Sequence, residues 1–177
     1  EYVEFLYNRL QRQGFLRRDV QRLIYQDRNA FAAVMVAMGD ADGMVTGVTR
    51  NFDQALREVL RVIDPTPGGR VLGMSVLMTR GRTLFVADTN VTELPDGPEL
   101  MEIAVEAARA VRRLGHTPRV AFLSYSTFGN PPGDRTTKVR EAVALMDARE
   151  DVDFEYEGEM PPDLALEPEL RGNYPFM

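Results

Sequence analysis

Cysteine and tryptophan are absent from this 177-residue sequence, and histidine occurs once, at His116. Without cysteine there can be no disulfide, thiolate metal ligand or cysteine nucleophile, which fits a reducing compartment. Lysine is nearly absent as well. Lys138 is the only one among 21 basic residues, so arginine carries the positive charge. Arginine suits planar, two-pronged recognition of phosphate or carboxylate. No apolar run approaches the ~20 residues of a membrane-spanning helix. The opening EYVEFLYNRL is acidic and amphipathic, unlike a signal peptide. There is no G-x-G-x-x-G fingerprint, no Walker loop and no zinc-spaced pattern. The net charge of −6 argues against nucleic acid or an anionic membrane as a general partner. These absences describe a soluble, cytoplasmic protein.

The composition that remains, 44% hydrophobic and 27% charged, is that of a globular chain able to bury a core. The length matches one domain, residues 1–177. A first residue other than methionine reads as a piece of something longer.

Tyr2, Phe5, Leu6 and Leu10 predict a helix over 1–12, and 28–38 a second one ended by Gly39. The short apolar segment 43–47 is expected to be a buried strand. Phe52, Ala55, Leu56, Val59 and Ile63 recur at helical spacing until Asp64-Pro65 stops them. Runs 70–79 and 83–88, joined by Arg80-Gly81-Arg82, predict a hairpin. A long helix over 98–114 presents Leu100, Ile103, Ala104, Ala107, Val111 and Leu114. A strand follows at 119–124, then a helix from about 134 to 148, then a strand at 152–156. Alternation of this kind predicts a three-layer α/β/α sandwich with a mostly parallel sheet containing one antiparallel hairpin.

In such a sheet, ligands bind beyond the carboxyl ends of strands, where loops enter helices. TGVTRN (46–51) fits that place. Gly47 permits close backbone approach, Thr46, Thr49 and Asn51 offer hydrogen bonds, and Arg50 offers a fork of donors before a helix N-terminus. The same residues also make an ordinary capping loop with a surface arginine. SYSTFGNPPGD (124–134) is the second place. Ser124, Ser126, Thr127 and Gly129 could hold a phosphate or a pantetheine amide, or could simply serve a turn.

Other candidates are weaker. His116 follows Gly115 at a helix end, where the dipole favours a cation. Asp40 and Asp42 resemble a fragment of a calcium loop and suit a turn better. Asp88 either faces a ligand or caps the next turn, and Arg80 and Arg82 suit solvent. The acidic residues Glu150, Asp151, Asp153, Glu155, Glu157 and Glu159 come late in the chain. From Asp151 they alternate with Val152, Phe154 and Tyr156, the period of a strand with one solvated face, which suits them better than a metal or acid/base site.

Six segments occur in an order that resembles the phosphate acetyl/butyryltransferase family. They are GDADGMVTG (39–47), VIDPTPG (62–68), LFVADTNVTELPDGPELMEIAVEAA (84–108), PRVAFLSYSTFG (118–129), TKVREAV (137–143) and FEYEGEMPPDLAL (154–166). VTGVTRN stands where acyltransferases of this family carry a histidine followed by Ser/Thr and Thr. With QRLIYQDRNAFAAVMVAMGDAD (21–42) and the Tyr-Pro-Phe at 174–176, it looks like the phosphotransacetylase-like region of bacterial NADP-dependent malic enzymes.

The resemblance implies an isocitrate/isopropylmalate dehydrogenase-like fold and an acetyl-CoA-sensing, oligomer-forming regulatory role. It implies acetyl-CoA as effector, a homodimer or larger homo-oligomer, and no catalytic residue, cofactor or metal within this domain. Malate chemistry, NADP and a divalent metal would belong to a catalytic portion of the same polypeptide. An active phosphate acetyltransferase is the alternative. However, the family's catalytic Ser-Arg pair and nearby Asp match nothing up to Met177, and Val48-Thr49-Arg50 replaces the histidine motif. On this resemblance the ligand contacts are Thr46, Gly47, Thr49, Arg50 and Asn51, with Ser124, Ser126, Thr127 and Gly129.

Overall fold

The computed structural model describes all residues from Glu1 to Met177. The chain forms two compact units, Glu1–Gly68 and Gly69–Met177.

The first unit is helical: α1 (Tyr2–Leu10), α2 (Arg17–Gln26), α3 (Arg28–Met38) and α4 (Phe52–Leu60). Leu6, Leu10, Val20, Ile24, Ala33, Val34 and Val62 form its buried core. Asp27 caps α3 by accepting the Asn29 and Ala30 N–H groups, and Asn51 caps α4 by accepting that of Gln54. Gly39 ends α3 in the left-handed conformation (φ 82°), as expected of a C′ glycine.

The strand expected over 43–47 does not form. A strand needs a neighbour to pair its N–H and C=O groups, and every regular element of this unit is a helix. The segment is an irregular loop with Val45 in solvent and Met44 packed against the helical core, and Val48 just beyond it is exposed at φ 63°. Helix α2, which carries only Val20 and Ile24 as buried residues, was not anticipated.

The second unit contains β1 (Met74–Thr79), β2 (Arg82–Ala87), α5 (Gly97–Arg113), β3 (Arg119–Leu123), α6 (Asp134–Asp147), β4 (Glu155–Met160), α7 (Pro162–Leu166) and α8 (Pro168–Arg171). The hairpin is present: β1 and β2 pair antiparallel with Thr79 opposite Arg82, and Gly81 (φ 81°) makes the turn. Strands β3 and β4 pair in parallel. The mostly parallel sheet is therefore corrected to two separate two-stranded sheets, one of each kind, within an α/β chain.

Helix α5 opens on a reciprocal cap, Asp96 accepting from the Glu99 N–H while Glu99 accepts from the Asp96 N–H. Its Ala104 packs with Phe122 of β3 and with Ala142 and Met146 of α6. Leu114, expected on the buried stripe, lies past the helix end and is exposed. No helix is long and apolar enough to cross a membrane.

Candidate functional site

The loop that leaves the carboxyl end of β3 is tied to the last residues of β4. Pairing slips by one residue there: Phe122 lies opposite Gly158, but Leu123 lies opposite Met160. The extra residue is Glu159. A one-residue bulge re-aims a side chain, and here it turns Glu159 from the solvated face anticipated for it to full burial. Gly158 makes this approach feasible, because a Cβ on it would lie 2.7 Å from the Phe122 Cβ and 2.8 Å from the Phe122 carbonyl oxygen.

The loop then closes around the carboxylate. The Ser126 hydroxyl and the Gly129 N–H both donate to Glu159 Oε1 at 2.8 Å. The Phe128 N–H donates to the Glu159 carbonyl at 2.9 Å, and the Ser124 N–H to that of Met160 at 3.0 Å. Within the loop, Ser126 N–H donates to Ser124 Oγ, and Thr127 and Asn130 exchange backbone hydrogen bonds. Thus Ser126 and Gly129 are joined through Glu159, which alternation along the strand places on a solvated face. Glu159 Oε2 is buried and has no hydrogen-bond partner in the chain. An unsatisfied buried acceptor costs about 1–3 kcal/mol, and more when charged. The exposed Arg140 lies beside Gly129: a Cβ on that glycine would come 2.8 Å from Arg140 Nη1.

The loop's wall is aromatic. Phe128 lies 5.5 Å from the Tyr174 ring and 4.9 Å from the Phe176 ring, centroid to centroid. Downstream, the Thr136 and Thr137 hydroxyls donate back to the Gly133 carbonyl, so both are already engaged.

In the first unit the segment 46–51 is organised by a polar network. Arg50 pairs with Asp27 at 2.9 Å and also with Glu58. Asn29 and Gln54 donate side-chain N–H groups to Glu58, and the Thr46 hydroxyl donates to Asn29. Burial alone would raise the Glu58 carboxyl, yet Arg50, Asn29 and Gln54 hold it below its ordinary range. The Asp27 carboxyl is likewise held down against burial, by the Ala30 N–H and by Arg50. The two carboxylates in turn raise the Arg50 pKa, Glu58 most.

Arg50 is therefore committed to two carboxylates, and Thr46 and Asn51 are engaged by Asn29 and by the α4 N-terminus. Gly47 and Thr49 are exposed. Asp27, Asn29 and Glu58 were missed by the sequence reading. The available signal was Ala55, Glu58 and Val62 on one helical face, where a charged residue interrupts two apolar ones.

The remaining candidates serve local structure. Asp88 accepts the Gly73 and Thr92 N–H groups, both at 2.8 Å, and so caps turns. Asp40 accepts the Tyr2 hydroxyl at 2.6 Å. His116 packs edge-on against Phe85. It also lines an open cleft of about 320 Å³ where Arg112 pairs with Asp153 and Arg119 with Glu155. Arg82 pairs loosely with Glu167 at 3.5 Å.

Comparison with known proteins places these features. Residues 1–175 match the family described as Phosphate acetyl/butaryl transferase. An NADP-dependent malic enzyme of Rhizobium meliloti is 60% identical over 175 residues, which cover 99% of this chain and 23% of that protein. A probable NADP-dependent malic enzyme of Rickettsia prowazekii is 41% identical over 99% of this chain and 24% of its own length. The chain thus spans about a quarter of the malic enzymes it matches. Among solved structures, a phosphotransacetylase from Streptococcus pyogenes superposes with a TM-score of 0.82 at 29% identity, covering 97% of this chain and 53% of that one. The fold likeness is therefore to phosphotransacetylases, and an isocitrate dehydrogenase-like description finds no support. The chain belongs to the phosphate acetyl/butyryl transferase family.

Proposed function

We propose that this chain is the acetyl-CoA-sensing regulatory and assembly module of an NADP-dependent malic enzyme. Oxidative decarboxylation of malate to pyruvate, with its NADP and divalent metal, is assigned to another portion of the same cytoplasmic polypeptide. The observation that carries this reading is the 60% identity to a malic enzyme across almost the whole chain, within a family named for acyl transfer.

The chemistry of the chain favours binding over turnover. Attack of phosphate on an acyl-CoA carbonyl needs stabilisation of the oxyanion and a proton acceptor or thiolate stabiliser. The single histidine packs on Phe85, and Arg50 is neutralised by two carboxylates. Arg50 is therefore not free for these tasks, and His116 lies at the opposite end of β3 from the 124–130 loop. Ligand contacts are proposed at Ser124, Ser126, Thr127 and Gly129 in one unit. In the other they are proposed along the 46–51 loop, where Gly47 and Thr49 are open and Thr46, Arg50 and Asn51 shape the backbone.

A homodimer or larger homo-oligomer supplies the means of regulation. Acetyl-CoA shifts activity only if it binds one assembly state better than another, because a ligand moves an equilibrium by its differential affinity. The test is to incubate the protein with acetyl-CoA and phosphate and follow free thiol. Binding without thiol release is expected, whereas sustained thiol release makes the chain an acyltransferase.

A further inference from the structure

The β1–β2 hairpin carries apolar side chains on both faces and leaves one edge without a neighbouring strand. We propose that the outer edge of β1 pairs antiparallel with β1 of a second copy of this chain, joining two hairpins into a four-stranded sheet about a two-fold axis at Leu77. The proposal deepens the assembly reading above, and rests on it for there being more than one copy.

A two-stranded hairpin is marginal in water by itself, yet this one forms a sheet alone. Its β1 edge is also unguarded. The strand reads MSVLMT, with no charge, proline or bulge to deter another strand. Met78 is 82% exposed, and Val76 and Leu77 are 46% and 49% exposed. By contrast β2 is flanked by α5, and its Arg82 donates to the Leu166 carbonyl.

The register follows from the hairpin. Only Arg80 and Gly81 separate Thr79 from Arg82, so the backbone groups of Ser75, Leu77 and Thr79 face β2. Gly73 continues this series, accepting the Thr89 N–H at 2.9 Å. The N–H and C=O groups of Met74, Val76 and Met78 therefore point outward. An axis at Leu77 sets Val76 opposite Met78 of the second copy and so pairs these groups. On one face, Leu84 and Leu77 meet the same two leucines of the second copy in a continuous row. On the other face, Met78 is covered by Val76.

Charge fits this register. Arg80 makes no ion pair in its own chain, and it arrives opposite Met74 of the second copy. That is the end of the hairpin where Asp88, held only by the Gly73 and Thr92 N–H groups, carries a charge without a cation.

The experiment is sedimentation across a range of protein concentration, with hydrogen exchange on the same samples. The wild-type chain is expected to dimerise. Its Val76 and Met78 amides should gain protection as concentration rises, while β2 protects the Leu77 amide throughout. Leu77→Lys and Leu77→Glu each set like charges against each other across the axis, and each should weaken dimerisation about tenfold or more. Mixed one to one, the two variants should form a dimer again, which a folding defect could not produce.

Dimers that persist in both single variants overturn the β1 assignment and leave the assembly reading standing. Wild-type dimers whose Val76 and Met78 exchange ignores concentration do the same, without any variant. A wild-type chain that stays monomeric overturns both.

Discussion

The Ser126 hydroxyl donates to the fully buried Glu159 carboxylate at 2.8 Å, joining a loop residue to the end of a strand 33 positions later in the chain. Together with the Gly129 N–H, this bond fixes the shape of the loop. Replacing Ser126 with Ala removes one of two donors to a buried charge, and bonds of that kind contribute roughly 1.5–3 kcal/mol. Ser126→Ala is expected to lower unfolding free energy by about 2 kcal/mol in urea titrations. In Glu159→Gln the same replacement should cost about half as much, since the acceptor is then neutral. Equal losses in both backgrounds would mean that the hydroxyl does not act through the charge.

Gly158 has a steric reason to be glycine. Its missing Cβ would sit against the Phe122 backbone, which has no rotamer with which to move aside. Gly158→Ala is expected to cost about 1–3 kcal/mol, as overpacking does, and to weaken protection of the Leu123 and Ser124 amides in hydrogen exchange. A variant as stable as wild type would contradict the close approach of β3 and β4.

The Asp27–Arg50–Glu58 network predicts acid sensitivity. Both carboxylates titrate below their ordinary values of 3.8 and 4.5 in the folded chain. Their contribution is therefore complete above those values and lost as pH falls through the lower folded ones. Urea midpoints should decline below about pH 4.5. In Arg50→Met the carboxylates face each other without their cation, so the midpoint should be lower at neutral pH and the acid decline shallower. An unchanged neutral midpoint would show that Arg50 is not holding the network.

Tyr156 gives the opposite sign at high pH. Burial, and then donation to Asp147 at 2.7 Å, push its phenol up from 10.0 to about 12. A group raised in the folded state stabilises fully below its unfolded value and loses that contribution as pH rises through the folded one. One late-titrating tyrosine should appear near pH 12 in ultraviolet absorbance, and Tyr156→Phe should remove it. A titration in which Tyr156→Phe loses only an ordinary tyrosine would contradict the bond to Asp147.

What the sequence disclosed follows from how local each signal is. The stripe Leu100, Ile103, Ala104, Ala107 and Val111 announces α5 by itself, and Gly81 marks the hairpin turn, because helical spacing and turns depend on neighbours a few residues away. The segment 43–47 has a strand's composition but no strand beside it, and pairing partners are not written locally. Helix α2 hides because only Val20 and Ile24 of its ten residues are buried, too few for a periodic stripe. Glu159 was read as solvated because simple alternation places it there, whereas the bulge between Phe122 and Leu123 reverses its face. For Arg50 the residue type suggested an anion site, but its pairing with Asp27 at the α3 cap and with Glu58 of α4 is visible only in the fold.

The proposed sensor role requires this acyltransferase-family chain to bind acetyl-CoA. Isothermal titration of acetyl-CoA into the protein tests it most directly. Saturable binding that phosphate does not convert into heat of turnover is expected. A flat titration, or continuous heat once phosphate is added, would contradict it.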